Sequence, residues 1–437
     1  MVLPEYVMQC LQRLEKAGFP CYAVGGCVRD SLLGLIPHDY DLCTAATPEQ
    51  MKAVFADQPL VLAGEKHGTV GVITEKNVVE ITTFRTEGAY QDNRHPDWVE
   101  FVDRIEDDLA RRDFTVNAMA WSPVRGLADP FGGRQDLKNK ILRAVGMPEA
   151  RFQEDSLRIL RGVRFAVRYG LVPDAATENA MFALAPLMEN LARERIFDEL
   201  CKLIPLVNAK DLLRFAPVIT QVIPELACAV GFDQRNSHHA YDVYTHIALV
   251  TESVPSKLSL RWAALLHDVG KPATFTADEA GEGHFYGHAE ESARLADGIL
   301  RRLKAPTALR EQVVLLVGHH MTKIEPTKKV VRRWLSRLGE ETLLELLELQ
   351  KADSCQKGTE ISEGFTPFAV IYELLEEIEA ENACLSLKDL AVTGHDVMAL
   401  GYTGKAIGQA LNALLEQVLD EKLPNEKGAL LAALLKK

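Results

Sequence analysis

No apolar run in this 437-residue chain approaches the roughly 18 residues that a membrane-spanning helix requires, so no such span is expected. The eight cysteines are scattered and form no CxxC pair. That excludes a zinc ribbon and a disulfide framework, and reads as the reduced thiols of a cytoplasmic protein. Repeats, low-complexity segments and coiled-coil heptads are absent as well. Basic residues are outnumbered, 49 to 62, and the net charge is −13, which argues against a sequence-blind nucleic-acid coat. The first residues, MVLPEYVMQCLQRLEKAG, carry Glu5 early and have helical periodicity, so they are expected to be neither a signal nor a transit peptide. What remains is a soluble globular composition, 47% apolar and 25% charged, in a chain too long for one core. Two to four domains are expected.

The acidity is uneven. Residues 104–168 hold 13 Lys/Arg against 9 Asp/Glu, a basic strip on an acidic body. Such a strip suits a shaped polyanion bound at one place, although a solvated helix face has the same composition. The pattern of elements also changes along the chain. Residues 4–18 read as a helix, 21–25 as a strand, 29–34 as a short helix, 38–43 as a strand and 48–56 as a helix. Short strands follow at 70–74, 78–84 and 98–102, with a polar, breaker-rich loop at 85–97. From Glu149 onward the apolar spacing is three and four, and strand-like alternation nearly vanishes. Residues 215–226 read as a hinge, 277–284 as a mobile Gly/Glu-rich interruption, and the tail from about 387 as a small helical unit.

The most informative stretch is AVGGCVRDSLLGLIPHDYDLCT, residues 23–44. Alternate residues of a strand share a face, so Asp39 and Asp41 are expected to project together with Tyr40 turned away. Two carboxylates on one edge make a hard oxygen site suited to Mg²⁺. A turn built on Gly25 and Gly26 lets backbone N–H groups approach a phosphate, and Arg29-Asp30 follows at once. A bare pair of aspartates would read as solvated; the compound pattern points to nucleotidyl or phosphoryl transfer. At these residues the chain resembles the polymerase beta-like nucleotidyltransferases. In particular, it resembles the tRNA nucleotidyltransferase/poly(A) polymerase family, whose GG-x-VRD…D-x-D signature is matched without departure.

Three further segments extend the reading. Glu80, in VVEITTF, is expected on a strand beside the Asp39–Asp41 strand, where it completes a carboxylate triad or faces solvent. In DDLARRDFTVNAMAW (107–121), Arg112 offers forked donors to a triphosphate, while Asp113 and Asn117 hold ribose hydroxyls or cap a helix. RRDFTxNA is also a hallmark of the family. In EDSLRILRGVRF (154–165), helical spacing puts Asp155 and Arg158 on one side, one turn apart. An acceptor beside a forked donor mimics a base edge, and Arg161 and Arg164 continue the stripe toward the phosphates. A surface salt-bridged helix is the plainer alternative. The segment resembles the nucleobase-reading helix of class II CCA-adding enzymes, and ENLARERIFDEL (189–200) resembles the helix that follows it there.

A second signature is HDVGKP at 267–272. His246, His267-Asp268, His288, His319-His320 and Asp353 follow the order of the HD phosphohydrolase superfamily. One of His319 and His320 is an expected ligand, with His319 the named candidate and the choice open, and His238 and His239 fall outside the pattern. Imidazoles with carboxylates suit Mn²⁺, Fe or Ni²⁺, and Lys271 is placed to contact phosphate.

The resemblance implies an α+β head with a mixed sheet (1–145) and a helical neck carrying the base-reading helix (146–215). An HD domain (216–365) and a helical, tRNA-binding tail (366–437) follow. It implies Mg²⁺-dependent addition of C, C and A to tRNA from CTP and ATP, by a monomer or homodimer. Asp39, Asp41 and Glu80 are the catalytic candidates, and Gly25, Gly26, Arg29, Asp30, Arg112, Asp113, Asn117, Asp155, Arg158, Arg161 and Arg164 the nucleotide-binding ones. LAGEKHGTVGV (62–72) stands where bacterial poly(A) polymerases carry a basic aromatic segment, and the 85–97 loop is not shortened as in CC-only enzymes. A-only addition is the nearest alternative. Beyond it stand poly(A) addition, an HD phosphohydrolase with the head as nucleotide sensor, and an RNA-binding or chaperone role for the basic strip.

Overall fold

The computed structural model describes residues 1–75, 77–87, 99–236, 240–356 and 366–435. The chain divides into two compact units, Met1–Val207 with Arg214–Pro224, and Asn208–Leu213 with Glu225–Lys437.

The first unit begins with α1 (Glu5–Lys16), which buries Val7, Cys10, Leu11 and Leu14 at spacings of three, one and three. It continues through β1 (Cys21–Val24), α2 (Gly26–Leu32), β2 (Asp41–Thr44) and α3 (Pro48–Val54). Thr47 and Gln50 close a capping box at the start of α3. Then come β3 (Leu60–Val61), β4 (Thr69–Ile73), β5 (Val78–Thr83), β6 (Arg85–Glu87), β7 (Val99–Phe101), α4 (Ile105–Ala110), β8 (Ala120–Ser122) and β9 (Gly126–Ala128). Seven strands form one sheet in the order β3-β4-β5-β2-β1-β8-β9. It is mixed, as expected: β1–β2 is antiparallel and β2–β5 parallel. Tyr22, Val24, Cys43 and Phe84 pack with Ile105 and Leu109 of α4 into one core layer.

Two strand and helix limits differ from expectation. The helix expected at 29–34 starts three residues earlier, because Gly25 (φ +70°) makes the turn directly after β1. The strand expected from 38 starts at Asp41, where pairing with Val24 begins, so Asp39 precedes the strand. Of the 85–97 loop, the described residues 85–87 are β6; the rest lies outside the described residues.

The helical part of this unit runs through α5 (Gly133–Lys138), α6 (Pro148–Glu154), α7 (Leu157–Tyr169), α8 (Ala175–Leu184) and α9 (Arg193–Leu203). Gly170 in the left-handed conformation ends α7. The segment expected as a hinge at 215–226 is ordered helix with Val218, Ile219 and Val222 buried, although the boundary between the units does fall at Pro224.

Among the described residues of the second unit the regular elements are helices apart from one small hairpin. Its parts used below are α10 (Val243–Ser253), α11 (Leu258–Leu266), α12 (His288–Arg302), α13 (Thr307–His319) and α14 (Glu340–Cys355). The stretch expected as a mobile interruption pairs Thr276–Ala277 with Gly283–His284, and Asp278 Oδ1 accepts from the Ala280 and Glu282 N–H groups. The tail has its own core of Leu390, Val392, Val397, Leu414, Leu419 and Leu430. Among the described residues no helix is long and apolar enough to cross a membrane.

Candidate active site and metal centre

A cleft of about 550 Å³ lies in the first unit, lined by Gly25, Gly26, Arg29, Asp30, Asp39, Asp41, Arg112, Asp113, Asn117, Asp155, Arg158, Arg161 and Arg164. The three motif segments therefore meet in one place. Asp39 and Asp41 both line the cleft although only Asp41 is on β2; Tyr40 is not among the lining residues. The parallel register of β2 and β5 pairs Leu42 with Ile81, which puts Glu80 beside Asp41, as the sequence suggested. Surrounding protein raises the Asp41 carboxyl, Glu80 and Asp39 add like-charge repulsion, and Arg112 opposes them. Asp39 and Asp41 line the cleft and Glu80 stands near Asp41; carboxylates are the donors that a hard divalent cation such as Mg²⁺ takes.

The glycine turn is half as available as expected. Gly25 gives its N–H to Met119 O at 3.1 Å, which leaves Gly26 and the opening N–H groups of α2 for a phosphate. A side chain at Gly25 is strained by its positive φ, and a Cβ would come within 2.7 Å of Arg112 Nη1, which would have to shift. Arg29 is buried and ties the head to the neck: it donates to Asp30, to Asn117 Oδ1 and to the Tyr169 hydroxyl, and stacks 4.2 Å over the Tyr169 ring. These contacts make it a framing residue between α2 and α7.

Arg111 and Arg112 converge on Asp108, fully buried on α4, at 2.9 and 3.3 Å. Sequence reasoning did not single out Asp108, though its i,i+3 and i,i+4 spacing to the two arginines was the signal. Asp113 is not within a regular helix, and Asn117 closes a 3₁₀ turn (Thr115–Asn117). Asp113 Oδ1 accepts from Phe114 N and Asn117 Nδ2, and Oδ2 accepts both Nε and Nη2 of Arg161, at 2.9 and 2.7 Å. Burial would raise Asp113, but Arg161 and the Asn117 amide hold it at about 2. Asp113→Ala is expected to cost about 3 kcal/mol of stability, because it strands Arg161 and the Asn117 amide. A depressed carboxyl contributes above its unfolded pKa and loses that contribution as pH falls through the folded value. The difference between parent and variant in denaturant melts should be flat above about pH 4 and shrink toward pH 2.

The Asp155–Arg158 geometry corrects the helical reading. Asp155 sits in an extended break (φ −142°, ψ 101°) between α6 and α7. Its Oδ1 accepts from Leu157 N at 3.1 Å, and its Oδ2 accepts from Arg195 Nη2 at 2.8 Å. Arg158 donates to Glu154 at 2.7 Å and to the carbonyls of Arg151 and Arg111 at 3.2 and 3.0 Å. Acceptor and donor are each held by other residues rather than by one another. Arg164 is fixed by Glu199 at 2.5 Å. Arg195 and Glu199 come from α9, so the ENLARERIFDEL helix braces the reading segment; only the family likeness hinted at it.

In the second unit, five helical segments bring six side chains together. The ligand atoms of His246, His267, Asp268 and Asp353 lie within 4.8 Å of one another, as do those of Asp268, His288 and His320. His320, not His319, stands in this cluster. Adjacent helical residues face different sides, and His319 packs edge-on to Trp334 with Nδ1 toward Thr322. His238 and His239 lie outside the described residues.

The tautomers follow from the partners. Nδ1 of His246, His267, His288 and His320 each faces a backbone carbonyl, of Gln356, Ala264, Phe285 and Val317, at 2.6–3.2 Å. A carbonyl only accepts, so Nδ1 carries a proton in each, and Nε2 of His267, His288 and His320 can present its lone pair inward, the arrangement that orients metal-binding imidazoles; Nε2 of His246 faces the Asp353 carboxylate at 3.0 Å and donates to it. Nε2 of His288 and of His320 is buried without a hydrogen-bond partner. Burial lowers His246, but Asp268 and Asp353 outweigh it and raise it to about 9, the mark of a pocket that demands positive charge. Lys271 Nζ pairs with Asp268 at 2.6 Å. The donor set fits one or two transition-metal ions sharing Asp268.

Residues 21–143 match the family described as the Poly A polymerase head domain, 170–229 a probable RNA and SrmB-binding site of polymerase A, and 236–358 the HD domain. The chain is 33% identical to a CCA-adding enzyme of Latilactobacillus sakei over 436 residues, 98% of each. It is 44% identical to that of Ligilactobacillus salivarius over 231 residues, a stretch that spans 51% of this chain and 57% of that one. The solved CCA-adding enzyme of Bacillus stearothermophilus in complex with CTP aligns over all of this chain and 98% of its own, with TM-score 0.74 and 28% identity.

Proposed function

This chain belongs to the family of CCA-adding enzymes, and we propose that it builds C, C and A onto the 3′ end of tRNA from CTP and ATP in the first-unit cleft. The observation that carries this is the convergence of Asp39 and Asp41 with the arginines of α7 on a single cavity, with Glu80 near Asp41 on the neighbouring strand. Asp39 and Asp41, with Glu80 beside them, would hold Mg²⁺. Such an ion, when bound, neutralises the triphosphate and acidifies the attacking hydroxyl. The tRNA 3′-hydroxyl attacks the α-phosphorus in line, and pyrophosphate leaves. Arg112, oriented by Asp108, supplies donors to the triphosphate.

Base choice falls to Asp155 and Arg158. The exocyclic amine shared by cytosine and adenine donates to Asp155, and the ring nitrogen beside it accepts from Arg158. Three of the five guanidinium donors of Arg158 are used by Glu154 and two carbonyls, which leaves a rigid pair for the base. Guanine and uracil present the reverse pattern, leaving buried groups unpaired. Arg158→Ala should therefore narrow the preference for CTP and ATP over GTP and UTP by about 1–3 kcal/mol. Single-turnover incorporation of each nucleotide checks this; an unchanged ratio at parental rate would make the segment merely structural.

The chain is read as head (1–145), neck (146–215), HD domain (216–365) and a tail (366–437) that binds tRNA. Its eight cysteines are all free, which suits the cytoplasm. His246, His267, Asp268, His288, His320 and Asp353 would hold the second-unit metal. There they would serve phosphoester hydrolysis in the cavity of about 240 Å³ that Asp268, Lys271, His288 and Asp353 line.

A further inference from the structure

Four large aliphatic side chains stand open to solvent within five positions: Leu32 (42%), Leu33 (39%), Leu35 (52%) and Ile36 (93%). Single exposed apolar residues need no explanation, but a contiguous group does. The group lies on the turn that joins α2 to β2, and three residues after Ile36 the chain reaches Asp39. Gly34 (φ +74°) reverses the chain here, and Pro37 restricts Ile36 to extended backbone. No Lys or Arg occurs from residue 30 to 51, so this segment is not a track for phosphates.

We propose that this apolar loop seats the terminal base of the tRNA 3′ end while that nucleotide's hydroxyl reaches the carboxylates of Asp39 and Asp41. The incoming triphosphate takes the arginine-lined side of the cleft, so the nucleotide that attacks it must lie across the carboxylates. The loop runs between Asp30 and His38-Asp39, which line the cleft, while its four aliphatic side chains stand outside that lining. A single-stranded RNA terminus exposes flat apolar base faces, which hydrophobic side chains cover without reading sequence. Sequence tolerance is what the reaction needs. The terminal base changes after each addition, and a hydrogen-bonding platform would favour one base and stall on the next. The proposal rests on the reading of Asp39 and Asp41 given above.

The test uses the full-length protein and tRNA lacking its last three nucleotides, with the terminal base either present or replaced by an abasic residue. kcat/KM for the first CTP addition is measured in the parent and in the Leu35→Ser, Ile36→Ser double variant, together with KM for CTP. Both side chains are exposed, so the fold should survive; melting curves verify it. The parent should lose about tenfold on abasic tRNA, and the variant about tenfold on intact tRNA, from lost apolar burial. Combined, the two changes should cost little more than either alone, with KM for CTP unchanged. Parental efficiency of the variant on intact tRNA, losses that multiply, or a shift from dimer to monomer that accounts for the loss would each overturn the proposal. If instead Asp41→Ala protein extended tRNA normally, the carboxylate reading itself would fail, which separates the two.

Discussion

Asp41→Ala is expected to lower nucleotide incorporation by at least about a thousandfold, the several kcal/mol that metal-assisted phosphoryl chemistry supplies. Affinity for tRNA should stay within about twofold, because Asp41 holds the ion rather than the tRNA body. Loss of the fold is not expected to account for the result. The protein packed around Asp41, with Glu80 and Asp39 beside it, raises its carboxyl, so the charge at position 41 works slightly against the folded state at neutral pH although the residue is exposed. The variant should melt at the same temperature as the parent or slightly higher. Extension at near the parental rate would overturn the metal assignment. Loss of tRNA binding in parallel with catalysis would show that Asp41 contacts the RNA instead.

Asp268→Ala is expected to remove bound transition metal and phosphoester hydrolysis together while CCA addition continues. Asp268 is the one residue that belongs to both ligand groups among the described residues; its loss leaves His246, His267 and Asp353 on one side and only His288 and His320 on the other, without the carboxylate the two groups share. Because the side chain is buried against Lys271, Asp268→Asn, which keeps its shape, should be made alongside. Metal content after purification gives the first readout. Hydrolysis of bis-p-nitrophenyl phosphate and of a 2′,3′-cyclic nucleotide, with added Ni²⁺, Mn²⁺ or Mg²⁺, gives the second. Parent protein without metal or hydrolysis would make the cluster structural. Loss of CCA addition in folded variants would show that the two centres depend on one another.

The cleft was legible because its parts are short and local. A glycine turn, an alternating acid pair and an arginine repeat each announce their chemistry within a dozen residues, and β pairing added Glu80. The failures lie where tertiary contacts overrule local period. Asp39 and Asp41 share the cleft, but not because they share a strand. The helix expected to align Asp155 with Arg158 is broken at Asp155, which accepts the Leu157 N–H at the start of α7 and takes Arg195, 40 residues on, as its partner. Asp108 has ordinary helical spacing and reveals its role only once it is seen buried beneath two arginines. The choice between His319 and His320 depends on the phase of one helix end, which sequence spacing does not fix. The 277–284 stretch looked unstructured because glycine and glutamate dominate it, yet Asp278 closes it into a hairpin.

The most direct test of the central claim is to incubate the purified protein with tRNA ending one, two or three nucleotides short, each with CTP alone, ATP alone or both, and to resolve the products to single nucleotides. The account predicts two additions from CTP alone on the shortest substrate and one A from ATP alone on the substrate that ends in CC. With both nucleotides it predicts a full CCA end on all three, with growth stopping there. Addition of A alone, with no use of CTP on any substrate, or continued growth into a poly(A) tail, would contradict it.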